Sequence, residues 1–224
     1  DFVQEVPNKL PFMATSCCPA WSSMAKKLYP EYRECISMAL TPMTLTARLI
    51  KEQHQNAKVV FIGPCAAKKL EAMRKSVRSE VDFVLTFEEM MGIFEAKDID
   101  VASLTEEVEG INDASEDGRN FAVSGGVAQS VVNVIQERYP EREIKMANAE
   151  GLRDCRKLLM MAKAGKYNGY LLEGMGCPGG CIAGAGTMQS IKKSQNAVKK
   201  YAAQANHKNS NETEYVKELN KLVN

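Results

Sequence analysis

The stretch NGYLLEGMGCPGGC, residues 168–181, joins a short apolar run to a loop that carries two cysteines among glycines. The run NGYLLEG (168–174) has the length and composition of a buried strand. Cys177 and Cys181 follow it directly. Glycine has no Cβ, so this loop can approach a bulky group closely and turn its N–H donors toward it. We therefore expect the carboxyl end of this strand to open into a binding site.

The same arrangement occurs twice earlier in the chain. Cys18 follows the run LPFMAT (10–15), and Cys65 follows AKVVFIG (57–63). In open parallel sheets, ligands bind beyond the carboxyl ends of the strands. We therefore expect Cys18, Cys65 and the two later cysteines to meet at one sheet edge.

Strand-like and helix-like patterns alternate through the rest of the chain. Further strand-like runs are VDFVLT (81–86), NFAVSG (120–125) and EIKMAN (143–148); helical spacing joins Leu45, Leu49 and Ile50, then Val127, Val131, Val134 and Ile135, then Leu152, Leu158, Leu159 and Ala162. Pro42 stands near a helix start, where its missing N–H does no harm. This alternation predicts an α/β fold, with parallel β-sheets flanked by helices in two lobes and an active-site cleft between them.

A polar, acidic segment at 102–120 suggests the boundary between the two lobes. We expect a first α/β lobe with two cysteine motifs at 1–105, a second α/β lobe with the third motif at 106–187, and peripheral C-terminal helices at 188–224.

Composition excludes several classes of function. The 29 basic and 28 acidic side chains nearly balance, so no overall field favours nucleic acid or an anionic membrane. No apolar run is long enough to cross a bilayer, and the start has no signal-peptide pattern. We expect a cytoplasmic protein with no nucleic-acid or membrane partner. The chain does not begin with Met, which suggests a piece of a longer protein.

Seven cysteines, an odd number for a disulfide framework, indicate metal or redox chemistry in a chain without a signal peptide. Only His54 and His207 could supply imidazole ligands. Four thiolates suit either a tetrahedral zinc ion or a four-iron four-sulfur cluster. Zinc ligands usually come in two close pairs, whereas Cys18 and Cys65 are single, which favours the cluster.

Three ordered segments, TSCCPAW (15–21), GPCAAKKLE (63–71) and EGMGCPGGCIAGAG (173–186), resemble the signature motifs of the FeFe hydrogenases. They lie in the domain that holds the six-iron H-cluster of that family. The similarity extends between the motifs, through YPEY, VDFVLT and VSGGVAQ, over residues 10 to 187. It implies an enzyme domain that catalyses reversible H2 oxidation and proton reduction.

The resemblance assigns a role to each matching residue. It makes Cys18, Cys65, Cys177 and Cys181 the ligands of the 4Fe-4S cubane, with Cys181 bridging to a two-iron subcluster that carries CO, CN and azadithiolate. Cys17 matches the free cysteine that passes protons, and Ser37 a serine of the same proton path. Lys68 matches the lysine that donates to a cyanide; Pro64 and Met175 match residues that line the cofactor pocket.

The implied substrates are H2 and protons. The implied electron partner is a ferredoxin-like carrier or upstream iron-sulfur domains. In the family, a further cyanide-binding loop and part of the proton path precede TSCCPAW, so we expect this chain alone to be inactive. Gly63 stands where catalytic members usually have methionine, as in divergent branches thought to sense hydrogen.

Two alternatives from other classes stay open. One is a hydrogen- or redox-sensing H-cluster domain of a regulatory protein. The other is an iron-sulfur scaffold without hydrogenase activity, against which the Cys17-Cys18 pair argues. The remaining Cys35 and Cys155 lie in helical patterns and are expected to be small buried hydrophobes, and Trp21 and Glu173 are expected to serve packing and support.

Overall fold

The computed structural model describes residues 1–75, 77, 79–104 and 113–216. The strands in these residues are β1 (Met13–Ala14), β2 (Val60–Gly63), β3 (Phe83–Thr86), β4 (Lys145–Glu150) and β5 (Tyr170–Met175). The α-helices are α1 (Phe2–Glu5), α2 (Pro19–Leu28), α3 (Pro42–Gln53), α4 (Ala67–Met73), α5 (Phe87–Ala96), α6 (Glu116–Arg119), α7 (Gly126–Arg138), α8 (Leu152–Lys163) and α9 (Ile191–Ala202). Short 3-10 turns occupy Pro30–Cys35, Val101–Ser103, Asn120–Ala122, Cys181–Ala183 and Ser210–Glu212.

All strand pairs in the described residues are parallel. One sheet has three strands in the order β1-β5-β4, and the other pairs β2 with β3. Met13 pairs with Leu171 in the first sheet, and Val60 pairs with Phe83 in the second. Parallel neighbours require crossover connections, which the helices supply. The predicted α/β class with parallel sheets is confirmed.

Helix ends follow the signals in the sequence. Thr41 caps α3, because its side chain accepts a hydrogen bond from the Thr44 amide, and Pro42 takes the first helical position as predicted. Thr86 and Glu89 form a capping box at the start of α5. This cap ends β3 and begins α5 without an intervening loop, so the helix starts at the carboxyl end of the strand.

The strand predicted at 120–125 is wrong. Asn120–Ala122 forms a 3-10 turn instead, and Gly125, with φ of 88°, caps the amino end of α7. A Cβ on Gly126 would lie 2.0 Å from the Asn120 carbonyl oxygen, so the chain doubles back tightly here. The short apolar run is therefore part of a tight turn between two helices and does not extend into a sheet.

The predicted boundary at residue 105 falls in 105–112, outside the described residues. Sheet pairing crosses it, because β1 pairs with β5, so the three-stranded sheet combines segments from both sides of the division. Of the C-terminal segment predicted at 188–224, α9 and the turn at Ser210–Glu212 are described. Residues 217–224 lie outside the described part.

The main core lies between the three-stranded sheet and helices α2 and α8. Its fully buried members include Phe12, Trp21, Cys155, Leu159, Leu172 and Met175. The Trp21 indole N–H donates to the Thr15 carbonyl at 2.9 Å, which satisfies the polar atom of a buried ring. The Trp21 ring also packs directly on Gly174 of β5, and it thus fastens the segment around Cys17 and Cys18 to that strand.

Within the part of the chain that the structure describes, no helix combines the length and apolar character that a membrane span requires.

We expect Gly174→Ala to destabilise the protein, because its Cβ would stand 2.2 Å from a Trp21 ring carbon. Overpacking of this kind costs about 1–3 kcal/mol. Gly92→Ala in α5 is the matched control, since nothing lies within 4 Å of the added methyl and helix propensity favours Ala by about 0.5–1 kcal/mol. Urea unfolding of both variants measures the difference, and equal stability of the two would contradict the packing described.

Candidate functional site

Four cysteines from the three motifs line one cavity of 140 Å³. Cys18 precedes α2, Cys65 precedes α4, and Cys177 and Cys181 follow β5. The rest of the lining consists of small residues and one methionine: Ala20, Ala66, Ala67, Met175, Gly176, Gly180, Gly184 and Ala185. Segments that follow strands of two separate sheets therefore meet here, whereas the strand-cysteine pattern predicts the edge of a single sheet.

Glycines let the third segment pass close to the other two. The Gly176 amide donates to Cys18 Sγ at 3.3 Å, and a Cβ on Gly176 would stand 3.0 Å from Ala20 Cβ. A Cβ on Gly184 would come within 2.3 Å of the Pro64 carbonyl oxygen. Larger residues would push these segments apart and close part of the cavity.

Burial and proximity keep the Cys177 and Cys181 thiols protonated. Burial, with Cys18 and Cys65 nearby, raises the pKa of Cys181 to about 12. Burial and the same two neighbours also raise the pKa of Cys177. Neutral thiols can share a dry pocket without repulsion, and a bound cation would displace their protons.

The four thiols line a cavity of 140 Å³, which is several times the roughly 30 Å³ that one water molecule occupies in the liquid. In a tetrahedral four-thiolate zinc site, sulfur atoms lie about 3.8 Å apart, since each is about 2.3 Å from the ion. Among residues 1–75, 77, 79–104 and 113–216, no three His, Cys, Asp or Glu side chains are arranged to hold a single metal ion. The donor set and the glycine walls fit a bulky cluster with one thiolate per iron.

Cys17 does not line the cavity of the four thiols. It packs against the main core beside Cys18. Burial is the main cause that raises its pKa to about 12, helped by Glu173, Cys18 and Cys181 and opposed by Lys68. Cys17 is therefore a protonated thiol next to a lining cysteine, on a different face of the chain.

Lys68 is buried, with 9% of its surface exposed. Its Nζ donates to the Cys17 carbonyl at 3.2 Å and to Glu71 Oε2 at 2.7 Å. The second motif is thus tied directly to the first. Sequence reasoning missed Glu71, although its i,i+3 spacing from Lys68 in KKLE is the signal that could have found it.

Ser37 lies away from the thiol cavity. It lines a separate cavity of 490 Å³ together with Ser16, and its hydroxyl accepts from the Ala39 amide at 3.1 Å. Its own amide donates to the Ala14 carbonyl at the end of β1. The structure brings Ser37 to the first motif, but in a cavity other than the one that the four thiols line.

Of the two residues predicted to line the cofactor pocket, one lies in the thiol cavity and the other in a neighbouring groove. Met175 is 2% exposed and lines the thiol cavity. Pro64 lines a neighbouring apolar groove, while its carbonyl accepts from the Gly186 amide at 2.9 Å. At Gly63, a Cβ would stand 2.8 Å from the Phe61 ring, so Phe61 fills space that a larger residue there would need.

Cys35 and Cys155 are buried at 3% and 0% exposure and do not line the thiol cavity. The Cys155 thiol shares its one hydrogen between the Ala149 and Met175 carbonyl oxygens, both 3.4 Å from Sγ. It thereby joins the carboxyl ends of β4 and β5. The expectation of small buried side chains agrees with this burial, and the two hydrogen bonds add a bracing role for Cys155.

Glu173 is a fully buried carboxylate on β5. Its Oε1 accepts from the Gly125 amide and its Oε2 from the Ala128 amide, both at 2.7 Å. These amides belong to the amino end of α7, which favours a negative group. Burial raises the pKa of this carboxyl. Glu173 fixes α7 against β5 beside Cys17, which is the supporting role expected of it.

The family model described as "Iron only hydrogenase large subunit, C-terminal domain" matches residues 1–185. The periplasmic [Fe] hydrogenase large subunit of Nitratidesulfovibrio vulgaris is 27% identical, over 83% of this chain and 54% of the relative. Cytosolic iron-sulfur assembly component 3 of Pongo abelii is 26% identical, over 81% of this chain and 48% of the relative. The chain spans about half the length of these relatives.

The fold is that of a solved apo [FeFe]-hydrogenase from Chlamydomonas reinhardtii. The two structures superpose with a TM-score of 0.76 at 22% identity, over 98% of this chain and 73% of the other.

We expect Glu173→Gln to lower the free energy of unfolding by about 1–3 kcal/mol, because a buried backbone amide loses its acceptor. Glu150→Gln is the control, since Glu150 is an exposed carboxylate at the end of β4 and its loss should cost less than about 0.5 kcal/mol. Urea unfolding compares them. A Glu173→Gln variant as stable as the control would show that the two amides do not depend on this carboxylate.

Proposed function

Because this chain belongs to the iron-only hydrogenase large subunit, C-terminal domain family, we propose that it is the H-cluster-binding part of an FeFe hydrogenase. In its full-length protein it catalyses H2 ⇌ 2H⁺ + 2e⁻. The observation that carries this proposal is the convergence of four thiols from three separate motifs on one cavity.

In this proposal Cys18, Cys65, Cys177 and Cys181 hold the four-iron cubane, one thiolate per iron. Cys181 would also help to hold the two-iron subcluster. When bound, that subcluster would supply an iron that accepts hydride and an amine that accepts a proton. The protein holds these groups in a pocket from which Met175, buried at the cavity wall, excludes water.

Cys17 would hold and move the proton. Its raised pKa keeps the sulfur protonated at neutral pH, so Sγ can donate one proton and accept another without carrying a lasting charge. Ser37, which lines the 490 Å³ cavity together with Ser16, would pass protons between Cys17 and solvent. A cation at Lys68 would stabilise the cyanide ligands where water is excluded.

Electrons would reach the cubane from a ferredoxin-like carrier or from iron-sulfur domains of the full-length protein. A cytoplasmic location belongs to the same proposal. A relative named as periplasmic shows that the compartment varies among similar proteins.

A second candidate function is hydrogen or redox sensing by the same cofactor. Gly63, with Phe61 beside it, favours this reading, since catalytic members usually have methionine at that position. A third is an iron-sulfur scaffold, favoured by the similarity to cytosolic iron-sulfur assembly component 3. The scaffold needs the four ligand thiols but has no use for a free proton-carrying thiol.

The full-length protein, expressed anaerobically and loaded with the synthetic two-iron cofactor, should evolve H2. Cys17→Ala should keep the carbonyl and cyanide infrared bands and lose activity about a hundredfold or more, because proton transfer by a positioned group contributes at least that factor. Cys35→Ala, which removes a buried thiol away from the cavity, is the matched control and should retain activity.

Three other outcomes would decide against this reading. Carbonyl and cyanide infrared bands without H2 evolution in the unmodified protein would favour the sensing function. The absence of both bands would reject the H-cluster assignment and leave the scaffold. Equal loss in Cys17→Ala and Cys35→Ala would remove the special role of Cys17.

A further inference from the structure

A buried chain of polar groups connects three segments at the edge of the site. Thr41 Oγ1 donates to Glu71 Oε1 at 2.7 Å, and Glu71 Oε2 accepts from Lys68 Nζ at 2.7 Å. Lys68 in turn donates to the Cys17 carbonyl at 3.2 Å. The chain runs from the amino end of α3, through α4, to the backbone of the first cysteine motif.

Each member of this chain is buried. Thr41 is 8% exposed, Glu71 3% and Lys68 9%. A buried carboxylate and ammonium hold each other in place strongly, because neither can be solvated if the pair separates. Both Glu71 oxygens are used, one by Lys68 and the other by Thr41, so the carboxylate has a defined orientation.

Lys68 acts on the thiols of two different motifs. Its charge opposes the burial that raises the pKa of Cys17, and it acts in the same direction on Cys181. Its observed contact with the first motif is the hydrogen bond to the Cys17 carbonyl. An ammonium has three N–H groups, and two of them have acceptors in the described residues. The third N–H group can bind an anionic group.

We propose that Glu71, oriented by Thr41, is the positioning residue that fixes the Lys68 ammonium against the Cys17 carbonyl, where it meets the anionic ligands of the cofactor. The role of Glu71 toward those ligands rests on the proposed function; its hold on Lys68 does not. Lysine alone is poorly suited to hold one position, because its four-carbon stem is flexible.

The space around Glu71 explains why Lys68 needs this anchor. Glu71 also lines the 490 Å³ cavity, with Arg48 and Arg74 in its wall. Without the Glu71 carboxylate, the Lys68 side chain would have room to move toward solvent. It would also lose the negative charge that lies between its ammonium and the guanidinium groups of Arg48 and Arg74. Glu71→Gln keeps the size of the side chain and removes only the charge.

The test measures how fast an amine-reactive ester acylates each lysine of the 224-residue chain, with mass spectrometry as the readout. In Glu71→Gln the rate at Lys68 should rise about tenfold or more, as expected for the loss of a hydrogen bond between charged groups. Thr41→Val should raise it in the same direction, and Thr41→Ser, which keeps the hydroxyl, should not. If Thr41 served only as a helix cap, Thr41→Val would not change the acylation rate of Lys68 alone.

Asp154→Asn is the matched control. It removes another i,i+3 pair, between Asp154 and Lys157 at 2.8 Å, in which both side chains are more than half exposed. Lys157 should be acylated at the same rate in Asp154→Asn as in the unmodified protein. Lys51, which is partly buried and bound to Asp82, is the internal standard, since faster acylation there would reveal general unfolding.

The second measurement addresses the cofactor. In the full-length protein loaded with the synthetic two-iron complex, Glu71→Gln should shift the cyanide infrared bands and leave the number of cyanide ligands unchanged. An unchanged Lys68 rate in both Glu71→Gln and Thr41→Val would overturn the positioning role. If Glu71→Gln unfolds, the Thr41→Val and Thr41→Ser pair decides. If the unmodified protein shows no cyanide bands, the proposed function fails, while the acylation rates still decide the hold on Lys68.

Discussion

The site depends on the parallel pairing of β1 with β5. β1 has only two residues, Met13 and Ala14, yet its register with Leu171 and Leu172 directs both chains out of the sheet at the same edge. The first motif then lies beside the third, where the Gly176 amide meets Cys18 Sγ. Trp21, packed on Gly174, keeps so short a strand in place. A bulkier residue at either glycine would separate the two cysteine segments.

Two buried carboxylates complete the assembly from opposite sides. Glu173 accepts hydrogen bonds from two backbone amides at the start of α7. Glu71 joins α3 and α4 to the first motif through Thr41 and Lys68. Buried polar networks of this kind define a single arrangement when every member is satisfied. The protein thus holds its cysteines with hydrogen bonds made by neighbouring elements, and the thiols themselves are left for a ligand.

Much of this arrangement could be predicted from the sequence, because it follows from the spacing of apolar residues and from the position of the cysteines after strand-like runs. Strand runs followed by Cys18, Cys65 and Cys177 predicted that these cysteines meet, although not that two sheets contribute them. The helix over Leu45, Leu49 and Ile50 was predicted equally well. The strand predicted at NFAVSG (120–125) is wrong, because an apolar run of this length does not distinguish a strand from a tight turn closed by Gly125. Glu71 escaped notice because its importance comes from Thr41, 30 residues away, and such long-range partners leave no local pattern.

Iron reconstitution of the chain tests most directly whether the four cavity cysteines hold one cubane. After anaerobic incubation with iron and sulfide, we expect about four iron atoms per chain and a Mössbauer spectrum of a single four-iron cluster. Replacing Cys18, Cys65, Cys177 or Cys181 one at a time by serine should lower the iron content, whereas Cys35→Ser should keep it. Full iron content in all four variants, or preferential uptake of one zinc ion, would contradict the account.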